Sequence, residues 1–298
     1  MGQIAEKLKT RFAQWSGRLR QRIAQREAPH PVRKDARDLE TLVAAGQDPF
    51  QALYLSAQGV VAWFTQSVAV LPELKPYFDI LTAAEDNYLP GGPPMSPLTR
   101  SFFTAWASFD LRFGADQETI GTCLLDVSRS LDLDGTLVEA ARHLQQSRMG
   151  IYEHCGTTDC KVQFRELMTG KELTCLCTSG YHGKTGELWY VRLCPPIFDL
   201  VDYHVTVTTP YILRATKTDW ADYLKRTMLG LGAGGEPQRL YELLKYGLST
   251  DYWNEFVFQA YHYCRYDAIV LAGIPDVKGS LPRAKRDEGD PSRQGMAV

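Results

Sequence analysis

A chain of 298 residues with 44 % apolar and 23 % charged residues has side chains enough for a sizeable core, and wholesale disorder is excluded. The formal net charge of −2 selects no class of partner. No apolar run approaches the roughly 18 residues that a membrane-spanning helix needs.

Charge is unevenly placed. Residues 1–38 hold ten Lys and Arg against four acids, a net of +6, so the rest of the chain sums to −8. Charges scattered through this segment argue against a secretory signal, and Glu6 stands where a myristoylation motif needs Ser or Thr. Seven cysteines, an odd number in a long chain without a signal, favour reduced thiols in a cytosol over a disulfide framework.

The first predicted element is a helix over 2–26. Ile4, Leu8, Phe12, Trp15, Leu19 and Ile23 fall on one stripe with Lys and Arg on its flanks. Fully helical, it would span roughly 35 Å, and Pro29 and Pro31 end it. Such a basic amphipathic helix suits an anionic membrane surface, at the inner face of the membrane, or a protein partner's groove or second copy. It also suits packing on its own domain. Specific nucleic-acid binding is not expected, because the body is acidic and carries no recognised motif. Oligomeric state is left open.

Helices follow to about residue 148. Asp48 and Pro49 start one, as cap and first helical residue, that is apolar nearly all round. Others are predicted over 72–84, 97–112, 116–130 and 135–148, with a Pro/Gly-rich loop over 87–99. Strands are predicted over 151–154, 161–167, 172–178, 187–193 and 204–208, with hairpin turns at 168–171 and 183–186. Helices return over 218–230, 236–247 and 250–264, a last strand over 267–271, and a disordered tail over 277–298. The reading is an α+β protein: a helical N-terminal half, an antiparallel β-meander in the middle, and covering helices from the C-terminal part. Residues 1–37 form the basic helix and linker, and 38–276 a single domain.

Leu131-Asp132-Leu133-Asp134-Gly135-Thr136-Leu137 resembles the first motif of haloacid-dehalogenase-type phosphatases. The resemblance implies Asp132 as nucleophile and Asp134 as acid/base. That chemistry needs Asp132 at the end of a buried strand, whereas the preceding residues read as the end of a helix. Asp134 then reads as a helix cap and Asp132 as a loop acid.

A second candidate is a set of soft ligands: His154, Cys155, Cys160, Cys175, Cys177, His182 and Cys194. Zinc takes four thiolate or imidazole ligands in a tetrahedron, with His154, Cys155, Cys160, Cys175 and Cys194 the favoured donors. The spacing lacks paired CxxC knuckles, and a CxC in a strand points its thiols to opposite faces. The alternative is small buried hydrophobes in a sheet.

Gly183-Lys184-Thr185 lacks the upstream glycine and following helix of a phosphate loop and reads as a turn. The glycine-rich stretch 229–235 reads as a helix–helix connection. His143, His204 and His262 form no assignable catalytic set. The aromatic residues from Tyr252 to Tyr266 suit a core, and a few of them a pocket.

Five strings, PPMSPLT, RMGIYEH, GELWYVRLCPP, TTPYIL and KYGLSTDYWNEFVFQAY, together resemble a group of uncharacterised bacterial proteins of similar length. The resemblance covers about residues 40–276. It implies a bacterial cytosolic setting and one continuous domain, and no activity or catalytic residue.

The expectation is therefore a non-enzymatic binding or interaction protein without a cofactor. The alternative is a hydrolase, working through zinc at the Cys/His cluster or through Asp132 and Asp134.

Overall fold

A computed structural model of the chain describes residues 2–10, 43–92, 96–197, 201–232 and 234–275. The disordered tail expected over 277–298, and Phe12, Trp15, Leu19 and Ile23 of the N-terminal stripe, lie outside the described residues.

The first helix, α1 (3–10), buries Ile4, Ala5 and Leu8. Its amide end is held by carboxylates. Gln3 donates to Asp116 Oδ2 at 2.7 Å, while Ile4 and Ala5 donate to the two oxygens of Glu118 at 3.0 and 2.9 Å. A buried Glu118 thus satisfies helical N–H groups that have no partner within the helix, and its charge complements the positive helix end. Ile4 also lies where any side chain at Gly114 would clash. The docking role expected for Ile4 and Leu8 is corrected here, since both are covered by the chain's own body. Glu118→Ala is expected to loosen α1 selectively, because it strands those amides at a cost of about 1–3 kcal/mol. Hydrogen exchange checks this: amides 4–8 should exchange faster while the strands keep their protection.

Five helices form the N-terminal layer. α2 (Pro49–Val68) is capped by Asp48, whose carboxylate accepts from Phe50 and Gln51. A 3₁₀ turn (Pro72–Leu74) leads into α3 (Lys75–Tyr88). α4 (Arg100–Ala105) runs directly into a π-helical segment, Trp106–Asp110. α5 (Ile120–Val127) opens on a Thr119–Thr122 capping box, and α6 (Gly135–Gln146) on Asp134.

The strands are β1 (Met149–Thr158), β2 (Lys161–Glu166), β3 (Glu172–Leu176), β4 (Leu188–Cys194), β5 (Tyr203–Thr206) and β6 (Tyr211–Leu213). Then come α7 (Lys217–Leu229), α8 (Glu236–Tyr246), α9 (Tyr252–Ala260), β7 (Tyr261–Cys264) and β8 (Ile269–Leu271). No helix among the described residues is long and apolar enough to cross a membrane.

The α+β class stands, and the topology adds to it. Only β1–β2–β3 form a meander. β5 lies parallel to β3 and antiparallel to β4, and β4 pairs back on β1, so five strands close into a barrel. The order β1-β2-β3-β5-β4, closing on β1, is that of an OB-type Greek-key barrel, a likeness of connectivity that carries no function by itself. β6, β8 and β7 extend the sheet outward from β4.

Closure explains the composition of β4. Trp189, Val191 and Leu193 belong to the core inside the barrel, while Leu188, Tyr190 and Cys194 belong to the larger core beneath the helices. A strand covered on both faces reads as one apolar run instead of an alternation. The final helix stops at Ala260, four residues short of its expected end. Tyr261, Tyr263 and Cys264 pair with β8 instead, sheet hydrogen bonds replacing helical ones.

Candidate ligand groove at the seam of helices and barrel

An open groove is lined by α2, by α4 with its π-helical extension, and by residues of β5 and the segment after it. It comprises two adjoining volumes of about 550 and 230 Å³, both lined by Gln58, Ser101 and Thr209. Together they fall within the size range of small-molecule sites.

The groove has two unlike walls. On α4, Arg100 and Thr104 are one turn apart, and Ser108 of the π-helical segment continues the same wall. Phe102 points away into the core, edge-on to the Tyr211 ring. The π-helical turn sits at the end of this wall, and such single wide turns recur at functional sites. On α2, Gly59, Val61 and Ala62 present small apolar atoms, and Leu55 continues that wall beside β5. Ser101 ties the wall to the barrel by accepting from the Thr209 amide at 3.0 Å. Thr178 and Thr206 bond each other at the far end.

Three observations mark the groove. Among the described residues, the side chains of Gln58, Arg100, Thr104 and Ser108 make no hydrogen bond or ion pair. Ser108 is only 6 % exposed, and its idle hydroxyl belongs to the lining of the groove. Gly59 lies in the middle of a 20-residue helix, and a Cβ there would meet nothing within 4 Å. Neither a turn nor close packing requires that glycine. Gly59→Ala is expected to stabilise the fold by about 1 kcal/mol, the ordinary helix-propensity difference, measured as a higher urea midpoint with an unchanged slope.

Among the described residues, no acid, His, Cys or Lys lines the groove. Its phenol, Tyr54, donates to the Pro195 carbonyl, and burial pushes it far above the usual tyrosine range.

The buried ions lie behind this wall. Asp110, the last π-helical residue, pairs with Arg192 on β4, and Lys245 Nζ on α8 stands 3.1 Å from Asp110 Oδ1. Lys245 also donates to the carbonyls of Gln145 and Ser147 at 2.6 and 2.7 Å. Burial holds its amine down to about 8, against the pull of Asp110. All three are at most 7 % exposed, so this cluster joins the π-helical segment, α6, α8 and β4 and presents no surface to a ligand.

The candidates from sequence lie elsewhere. Asp134 caps α6, accepting from Thr136 and Leu137, and Asp132 occupies a left-handed position on the α5–α6 connection. The strand end that a phosphatase nucleophile needs is absent at Asp132. The soft ligands are dispersed. Cys155 and Cys160 are exposed on the β1–β2 hairpin, Cys175 is inside the barrel, and Cys194 is beneath the helices. His154 is buried against Phe164 and Trp189 with Nε2 at 2.8 Å from the His182 carbonyl. Among the described residues no three His, Cys, Asp or Glu are grouped to hold a metal ion. Gly183 sits in the β3–β4 loop at φ +64, and a turn, not a helix, follows it. His143, His204 and His262 lie on α6, β5 and β7. Of the aromatic run, Trp253 and Phe256 are core and Tyr266 is fully outside.

Sequence reading missed the groove because its residues are individually bland. The one available signal was Gly59, in an otherwise strongly apolar helix.

Comparisons with protein-family models, with curated proteins and with solved structures find no match.

Proposed function

We propose that this is a non-catalytic binding protein whose ligand seats in the groove between α2, α4 and β5. The observation that carries this reading is a groove with idle hydrogen-bonding side chains and an unfilled helix glycine, and with no acid, His, Cys or Lys among the described residues that line it. Binding sites are recognised by such convergence of a few polar groups over apolar walls.

The setting is a bacterial cytosol. The free thiols at Cys155 and Cys160, both exposed, suit a reducing compartment. The basic arm is the second part of the reading. With Ile4 and Leu8 engaged on the body, attachment to an anionic membrane face or a protein partner falls to Phe12, Trp15, Leu19 and Ile23.

A thermal-shift screen over carboxylates, sugars and short peptides tests the groove. Ligands are expected to raise the midpoint of the wild type and to leave Gly59→Leu unmoved, since the leucine fills the groove from a position where nothing obstructs it. Equal shifts in both proteins would place binding elsewhere and overturn the proposal.

A further inference from the structure

Resting on that groove, we infer that its ligand is a slender amphiphile with a single negative charge, of the long-chain carboxylate class. The argument is one of complementarity. Among the described residues Arg100 is the only charged side chain in the lining; it is exposed and unpaired, and the idle hydroxyls of Thr104 and Ser108 follow it along the same wall. A guanidinium beside hydroxyl donors is suited to a carboxylate, which accepts several hydrogen bonds at once. One cation without a second matches one negative charge, not a polyanion.

The opposite wall selects the body. Gly59 and Ala62 keep α2 low, so a thin chain lies close to the helix backbone while a branched or bulky one does not. From Ala62 to Gln51 the two volumes run along roughly 16 Å of α2, at about 1.5 Å per residue. An extended peptide fits this wall poorly. Its backbone brings a donor and an acceptor with every residue; Val61 and Ala62 offer them nothing, nor do Ala105 and Phe109 on the facing wall, which leaves Gln58 as the one polar side chain of α2 described beside the larger volume. A hydrocarbon chain makes no such demand.

The test is isothermal calorimetry on the full chain with dodecanoate, kept below its micelle concentration. Dodecyltrimethylammonium, dodecyl maltoside and the peptide acetyl-Ala-Ala-Glu-Ala-Ala-amide serve as comparisons. The expected result is one saturable dodecanoate site, about tenfold weaker in Arg100→Gln, the change that loss of one charge-assisted contact brings. Gly59→Leu should lose the site while keeping the wild-type thermal midpoint or exceeding it. The cationic chain should bind less well than the carboxylate. No saturable dodecanoate binding, or equal binding of the cation, would overturn the ligand class. So would binding indifferent to both substitutions. If the peptide alone binds, and Gly59→Leu abolishes that, the groove stands as a binding site and the carboxylate assignment falls.

Discussion

Asp110→Ala is expected to destabilise the folded chain by about 3–5 kcal/mol, because it leaves Arg192 and Lys245 buried without their counter-ion. The cost arises less from the lost attraction than from two stranded cations, at 1 % exposure each, in a medium that solvates them poorly. Lys245→Met should cost much less: it removes a charge of similar volume and leaves Asp110 paired with Arg192, although the carbonyls of Gln145 and Ser147 lose a donor. The pH dependence has a definite sign. The amine titrates at about 8 in the folded chain and near its ordinary 10.5 when unfolded. Below about 8 it is charged in both states and the burial penalty is present in full. As pH rises from 8 towards 10.5, the folded chain releases the proton first and the penalty fades. Wild-type stability should therefore rise relative to Lys245→Met across that window. The difference between the two proteins is the useful quantity. Buried thiols such as Cys194, which burial pushes up to about 12, act in both and lower stability above the ordinary thiol range. Urea titrations of the pair at several pH values check the sign.

Trp189→Ala should cost a further large amount, about 3–5 kcal/mol, through a cavity inside the barrel that its closed strands cannot collapse to fill. Trp189 is fully buried and touches His154, Phe164 and Tyr181, with ring centroids at 5.7, 5.0 and 4.9 Å. It also fixes the β3–β4 loop. A Cβ on Gly183 would approach its ring to 2.5 Å, and Gly183 has a positive φ besides. Gly183→Ala is consequently expected to destabilise by itself, and to cost less when Trp189 is already Ala, because the closest clash has gone while the contact with Glu187 Oε2 at 2.9 Å and the backbone strain persist. Chemical denaturation of the two single variants and the double variant measures that coupling. Additive costs would mean that the loop does not press on the ring.

The parts legible in the sequence were those with local causes. Asp48-Pro49 and Asp134-Gly135 marked helix starts by their caps, and both caps are formed. The β2–β3 hairpin was readable from its turn at 168–171, whereas the turn at 183–186, expected to close a second hairpin, joins β3 to β4, which do not pair with each other. Barrel closure was not, because pairing β1 with β4 and β3 with β5 depends on contacts between strands distant in sequence. The run Leu188–Cys194 gave its strand but could not say that both its faces are covered. β6, with three residues, is too short for any period to show. Function was least legible for the same reason. Asp132 attracts attention by its motif and sits on a helix connection, while Arg100, Thr104 and Ser108 become neighbours of Gly59 only through the packing of α2 beside α4.

That neighbourhood is the central claim, and a native mass spectrum of the freshly purified chain tests it most directly. Wild type is expected to carry a small-molecule mass increment that Gly59→Leu, folded and equally pure, does not. An increment shared by both proteins, or bare masses for both, would contradict the assignment of the groove as the binding site.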